Sequence, residues 1–91
     1  MLQDQSFQCP CCDFYSLPSR GGFEVCPVCY WEDDGQDMDR LDEESGPNHI
    51  TLRVARLNFE RIGASDASAV SLVASTQERA GLRREQRATY H

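Results

Sequence analysis

Hydrophobic positions change character along the chain. The first third sets single aromatic or aliphatic residues among polar ones, the middle carries one stripe at helical spacing, and the last third is sparse. Phe7 precedes the first cysteines, 14–17 is aromatic and apolar, and 23–25 reads apolar, acidic, apolar. Between the last two lies Pro18-Ser-Arg-Gly-Gly22, a turn cluster. This spacing predicts a short strand at Phe7 and Gln8. It also predicts a β-hairpin joining 14–17 to 23–25, with Arg20 solvated at its tip. Val28, Tyr30 and Trp31 then add apolar bulk. They are expected to cap the preceding turn and one face of the next helix. The competing reading makes them an exposed aromatic contact for a partner.

A turn at Ser45-Gly-Pro-Asn48 separates this region from a predicted helix over about 51–62. Leu52, Ala55, Phe59 and Ile62 fall on one stripe, which Val54 and Leu57 broaden. Thr51 is placed to cap the start and Gly63 to stop the end. Arg56 and Glu60 read as an i,i+4 pair on the outer face. His49 reads as a loop residue. After Ala64 the pattern weakens. Only Val70, Leu72 and Val73 are large and apolar between Ser65 and Thr76, with a short helix expected to start near Asp66. The predicted fold class is a small α+β domain: a β-hairpin packed on one or two helices. The predicted organisation is a cysteine-rich unit over 1–64 and a C-terminal extension over 65–91, weakly helical or disordered.

Charge narrows the function classes. The chain has 91 residues and a formal net charge of −6, with nine Arg and no Lys. An acidic surface repels phosphate backbones, so nucleic-acid binding is disfavoured. No apolar run is long enough to span a bilayer, and no basic region with an apolar core opens the chain, so a cytoplasmic location is expected. The block from Glu32 to Glu44 holds eight carboxylates against Arg40 alone. It reads as a solvated loop. Taking Gly35 as the sixth position of a calcium loop puts Tyr30 first and Leu41 twelfth, which fails the ligand pattern. Trp31, Asp33, Asp34 and Asp37 are therefore candidates for contact with a basic protein partner. Arg79, Arg83, Arg84 and Arg87 make the tail mildly basic. The opposite signs of tail and block suggest contact between them, within one chain or between copies in a homo-oligomer.

The strongest chemistry lies in the cysteines. All five sit in 9–29, in two C-P-x-C turns separated by thirteen residues. A pair of thiolates two residues apart can bend around one ion, and two such pairs supply four sulfurs. Pro10 and Pro27 pre-set each turn through their fixed φ. Asp13 and Tyr30 follow the two turns, where a left-handed conformation is expected. Tyr tolerates it less well than Asp, so the second turn is expected to differ in shape. The predicted ligands are Cys9, Cys12, Cys26 and Cys29, holding Zn2+, which makes the expected β-hairpin zinc-ribbon-like, with a four-cysteine metal site. Iron in a rubredoxin-like site uses the same four sulfurs. Paired disulfides and a thiol redox role are the other readings. A reducing compartment and the lack of room for a thioredoxin frame argue against these. Cys11, between two ligands, is an alternate ligand or a free thiol. A four-sulfur site leaves no open position for water, which argues against an enzyme.

The runs Phe7-Gln-Cys-Pro-Cys-Cys, Arg20 to Asp37 around Cys-Pro-Val-Cys-Tyr-Trp, Gly46-Pro-Asn48, Thr51-Leu, Ala55-Arg and Asn58-Phe resemble the bacterial cysteine-rich CPCC family over about 7–64. The resemblance implies a small zinc-binding domain with a binding role. Its occurrence near toxin–immunity loci implies an immunity protein as one alternative. Two positions depart from the family pattern: Val54 stands where a capping Glu is usual, and Asp13 where Gly follows the first turn. Together these readings predict a non-enzymatic, metal-stapled interaction module. The alternatives are an immunity protein neutralising a toxin, and a thiol or iron redox protein.

Overall fold

Each C-P-x-C turn folds the chain back on its own flanks in the computed structural model, which describes residues 2–89. Around the first turn, Phe7 and Leu17 donate N–H to each other's carbonyl at 3.1 Å, and Cys9 N–H reaches Phe14 O at 2.8 Å. Around the second, Cys26 N–H reaches Trp31 O at 2.9 Å. There Phe23 and Asp33 donate N–H to Asp33 O and Glu24 O, each at 2.9 Å. The expected hairpin between 14–17 and 23–25 is replaced by these two smaller reversals. Among the described residues there is no strand, only isolated antiparallel bridges: Phe7–Leu17, Phe14–Arg84, Val25–Glu32 and Glu44–Thr51. The reason is local. A cysteine turn is itself a chain reversal, so each flank meets its nearest partner across its own turn. The 18–22 cluster lies instead against the acidic block. Gly21 and Gly35, both at positive φ, approach so closely that a Cβ on Gly35 would sit 3.6 Å from Gly21 Cα.

Helix α1 spans Leu52–Ile62. Thr51 caps it by accepting from Val54 N–H, and Gly63 ends it in a left-handed conformation, φ 73°, with its N–H on Phe59 O. Leu52, Ala55 and Phe59 are buried as the stripe predicts. Ile62, Val54 and Leu57 are exposed, so the apolar face is narrower than expected. Arg56 occupies the missing width. It points inward at 5 % exposure rather than pairing outside with Glu60.

The tail returns to the cysteine lobe. A 3-10 helix at Ala67–Ala69 is capped by Asp66, and helix α2, Thr76–Arg79, begins with a reciprocal Ser75–Glu78 capping box. Leu82 is buried in the core, and Tyr15 N–H bonds Arg83 O at 2.9 Å. Arg79 and Arg84 stack near the edge-to-face rings of Phe14 and Phe59. Residues 90 and 91 of the expected extension lie outside the described residues. The radius of gyration, 11.7 Å, matches the roughly 12 Å of a globular chain this long. The core is built from all five cysteines with Leu17, Val28, Trp31, Leu41, Leu52, Ala55, Phe59 and Leu82. Among the described residues no helix is long and apolar enough to cross a membrane.

Candidate metal centre

Four sulfurs converge at the heart of this core. The Sγ atoms of Cys9, Cys12, Cys26 and Cys29 all lie within 4.8 Å of one another, and all four side chains are fully buried. Cys9–Cys29 and Cys12–Cys26 are each 3.7 Å apart. A disulfide would need about 2.05 Å, so these are free thiols held together. Four sulfurs about 2.3 Å from one tetrahedral ion stand about 3.8 Å apart. The cluster is thus of the right size and donor type for one metal ion. Cys11 is buried beside the cluster but is not one of its four members.

The two turns present their sulfurs in the same way. Asp13 N–H bonds Cys9 O at 2.9 Å, and Tyr30 N–H bonds Cys26 O at 2.8 Å. Asp13 and Tyr30 adopt φ 68° and 70°. The expected difference in turn shape is absent, because the hydrogen bond closing the turn demands the same left-handed residue in both.

Burial and mutual hydrogen bonding set the protonation of the sulfurs. Burial, and then hydrogen bonding to neighbouring thiols, pushes Cys9, Cys12 and Cys29 well above the ordinary thiol range. Burial opposes ionisation of Cys26 too. Hydrogen bonds from Cys12, Cys29, Cys9 and Ser16 outweigh it and hold that thiol well down. Ser16 Oγ lies 3.0 Å from Cys26 Sγ and is itself buried. Without a cation the four neighbouring buried thiols therefore resist losing all their protons. A bound cation would supply the positive charge that lets them ionise.

Around the first turn arginines brace the backbone, in contacts the sequence reading missed. Arg56 Nη1 donates to Pro10 O at 2.6 Å and Cys11 O at 3.4 Å. Arg84 Nε donates to Cys12 O at 2.9 Å, and Arg87 Nη2 to Cys9 O at 3.5 Å. Every carbonyl of 9–12 thus accepts from an arginine. Asp13 anchors two of them. Its carboxylate takes both Nη atoms of Arg56, at 2.8 and 3.0 Å, and the N–H and Nε of Arg87, at 2.8 and 3.0 Å. Burial opposes ionisation of Asp13, but these bonds outweigh it and hold its carboxyl below the usual range. The sequence signal was the buried-turn position of Asp13. Its partners, 43 and 74 residues away, carried none.

The acidic block is not a solvated loop in its first half. Asp33 is fully buried and accepts from Arg20 Nε at 3.0 Å, Gly21 N–H at 2.7 Å and Gly35 N–H at 3.1 Å. Asp37 takes Arg20 Nη1 at 2.7 Å and Arg87 Nη1 at 3.2 Å. Its own burial is outweighed by these contacts, which keep its carboxyl below the usual range. Asp34 accepts from Gln36 N–H and Ser45 Oγ. Arg20 is therefore a cross-link rather than a solvated tip, and the tail does touch the block, through Arg87. Trp31 is fully buried under the cysteines, which makes it packing and not an exposed contact. A burial this complete leaves neither Trp31 nor Asp33 available to a partner.

A protein-family model described as cysteine-rich CPCC matches residues 7–80. The span takes in both cysteine turns, the acidic block, α1 and α2, and runs past Ala64 into the tail. No curated protein and no solved structure matches the chain.

Proposed function

The chain belongs to the cysteine-rich CPCC family, and from that premise we propose that it is a zinc-stapled, non-enzymatic interaction module of the cytoplasm. One observation carries the reading: four buried sulfurs from two matching turns, all within 4.8 Å of one another and two of their pairs 3.7 Å apart. Zinc bound there would act as a cross-link between the two turns. All four donors come from the chain, so the ion would keep no position for water or substrate. The residues around it serve that role. Ser16 hydrogen-bonds Cys26 Sγ, the three arginines brace the backbone of the first turn, and Trp31 with Leu17, Val28 and Leu52 excludes water. A chain this short buries little apolar surface, so a metal replaces part of the core.

Elemental analysis of protein purified without added metal tests this. One zinc per chain, no visible absorption, and loss of folded near-ultraviolet signal with a strong chelator are expected. A coloured protein with one redox-active iron would assign the site to electron transfer instead. Disulfides or metal-free folded protein would remove the reading.

A further inference from the structure

Beside the second cysteine turn lies a groove of about 490 Å3, within the roughly 300–1,000 Å3 of clefts that hold ligands. Val25, Tyr30, Ile50 and Ala69 give it apolar walls, and Glu32 and Asp66 line it with carboxylates. His49 is its one basic group, and no arginine lines it. Its walls are fixed. Ser65 N–H bonds Cys29 O at 2.8 Å, Asn58 Nδ2 holds Ser65 O at 2.9 Å, and Ser45 N–H holds Ile50 O at 2.9 Å. A preformed groove adds little ordering cost to binding.

Val25, which lines the groove, also carries backbone groups left without partners among the described residues. The bonds flanking Val25–Glu32 run from Asp33 N–H to Glu24 O and from Cys26 N–H to Trp31 O. In that pattern Val25 and Glu32 both turn their own N–H and C=O away from each other. On the Glu32 side the edge is sealed, because Asn48 Oδ1 accepts its N–H at 2.9 Å and Asn48 Nδ2 donates to its C=O at 2.8 Å. On the Val25 side neither group has a partner among the described residues, and Val25 is 39 % exposed. The charge is also left open. Asp13, Asp33 and Asp37 are neutralised by arginine, whereas the Glu32 carboxylate forms no ion pair among the described residues.

We propose that this edge and groove dock an extended peptide segment of a partner protein. The segment adds as a strand against Val25. It sets an apolar side chain between Val25 and Tyr30 and a Lys or Arg side chain at Glu32 and Asp66. The inference rests on the reading of the chain as an interaction module and gives that module its binding face.

The test uses full-length protein first shown to hold one zinc per chain, so that failure of the metal reading is seen separately. A blocked heptapeptide of alternating arginine and valine is titrated while amide resonances are followed by NMR. Saturable shifts centred on Val25, Tyr30, Glu32 and Ser68 are expected. A glutamate–valine peptide should bind about fivefold or more weakly, and Glu32→Gln should weaken the arginine peptide about twofold to fivefold. Methylating the backbone nitrogens of the arginine peptide should abolish the shifts. Shifts confined to the exposed acids at 39–44, equal binding of the acidic peptide, or no shift in zinc-loaded protein would each overturn the docking.

Discussion

Two residues share one backbone conformation and carry opposite consequences for it. Asp13 and Tyr30 both sit near φ 70° at the ends of matching turns. A left-handed L-residue costs about 1–2 kcal/mol, which glycine would recover. At Asp13 the gain is outweighed, because the side chain is buried and pairs with Arg56, itself 5 % exposed. Stranding one partner of a buried ion pair costs about 3–5 kcal/mol. Asp13→Gly is therefore expected to lower the unfolding free energy of metal-loaded protein by about 2–3 kcal/mol. Tyr30 is 42 % exposed and holds no ion pair, so Tyr30→Gly should stay within about 1 kcal/mol of wild type. Urea unfolding of the two variants side by side checks the contrast. The four clustered sulfurs were legible in the sequence because their spacing is local. Arg56 was not, because helical periodicity sends a charged residue outward unless its buried counterpart is known. That counterpart lies in another turn of the chain.

At the scale of elements, α1 shows what local signals can specify. Its cap, its stop and three of its buried positions follow from the sequence: Thr51, Gly63, Leu52, Ala55 and Phe59. Its first turn lacks an acidic residue, since Val54 stands where a glutamate would reach back to the Thr51 N–H. Val54 is 43 % exposed, so little packing is lost by replacing it. Val54→Glu should complete the capping box and meet the helix dipole, adding about 0.5–1 kcal/mol, which thermal unfolding would read as a few degrees. The hairpin was misread for a related reason. Pro18 to Gly22 has hairpin-tip composition, but the chain had already reversed at each cysteine pair. Turn composition locates a bend without saying which segments it joins.

For the whole molecule, charge links segments that the sulfurs do not. An alternating chain runs from Arg56 through Asp13, Arg87, Asp37 and Arg20 to Asp33, tying α1, the first cysteine turn, the 18–22 cluster, the acidic block and the tail. Asp13 and Asp37 carry depressed pKa values, burial being outweighed by their arginines. Folding then binds fewer protons than unfolding. The stability these carboxylates confer is complete above their unfolded pKa and is lost as pH falls through the folded values. Urea midpoints should thus drop on acidification through roughly pH 5 to 3, and less steeply in Asp13→Asn, where one titrating partner is gone. Metal release by thiolate protonation adds to the fall in both proteins. Of this linkage the charge pattern of the sequence suggested only the contact of tail with block, seen in Arg87–Asp37, while the Arg56–Asp13 pair carried no local signal.

The chain has a single tryptophan, and Trp31 lies fully buried among the cysteines with its indole N–H lacking a hydrogen-bond partner among the described residues. An indole so enclosed cannot be relaxed by solvent dipoles while its excited state lasts, so its fluorescence should be blue and insensitive to aqueous quenchers. Opening of the sulfur cluster would admit water to the ring and shift the emission red, giving the protein a built-in optical gauge of its own integrity.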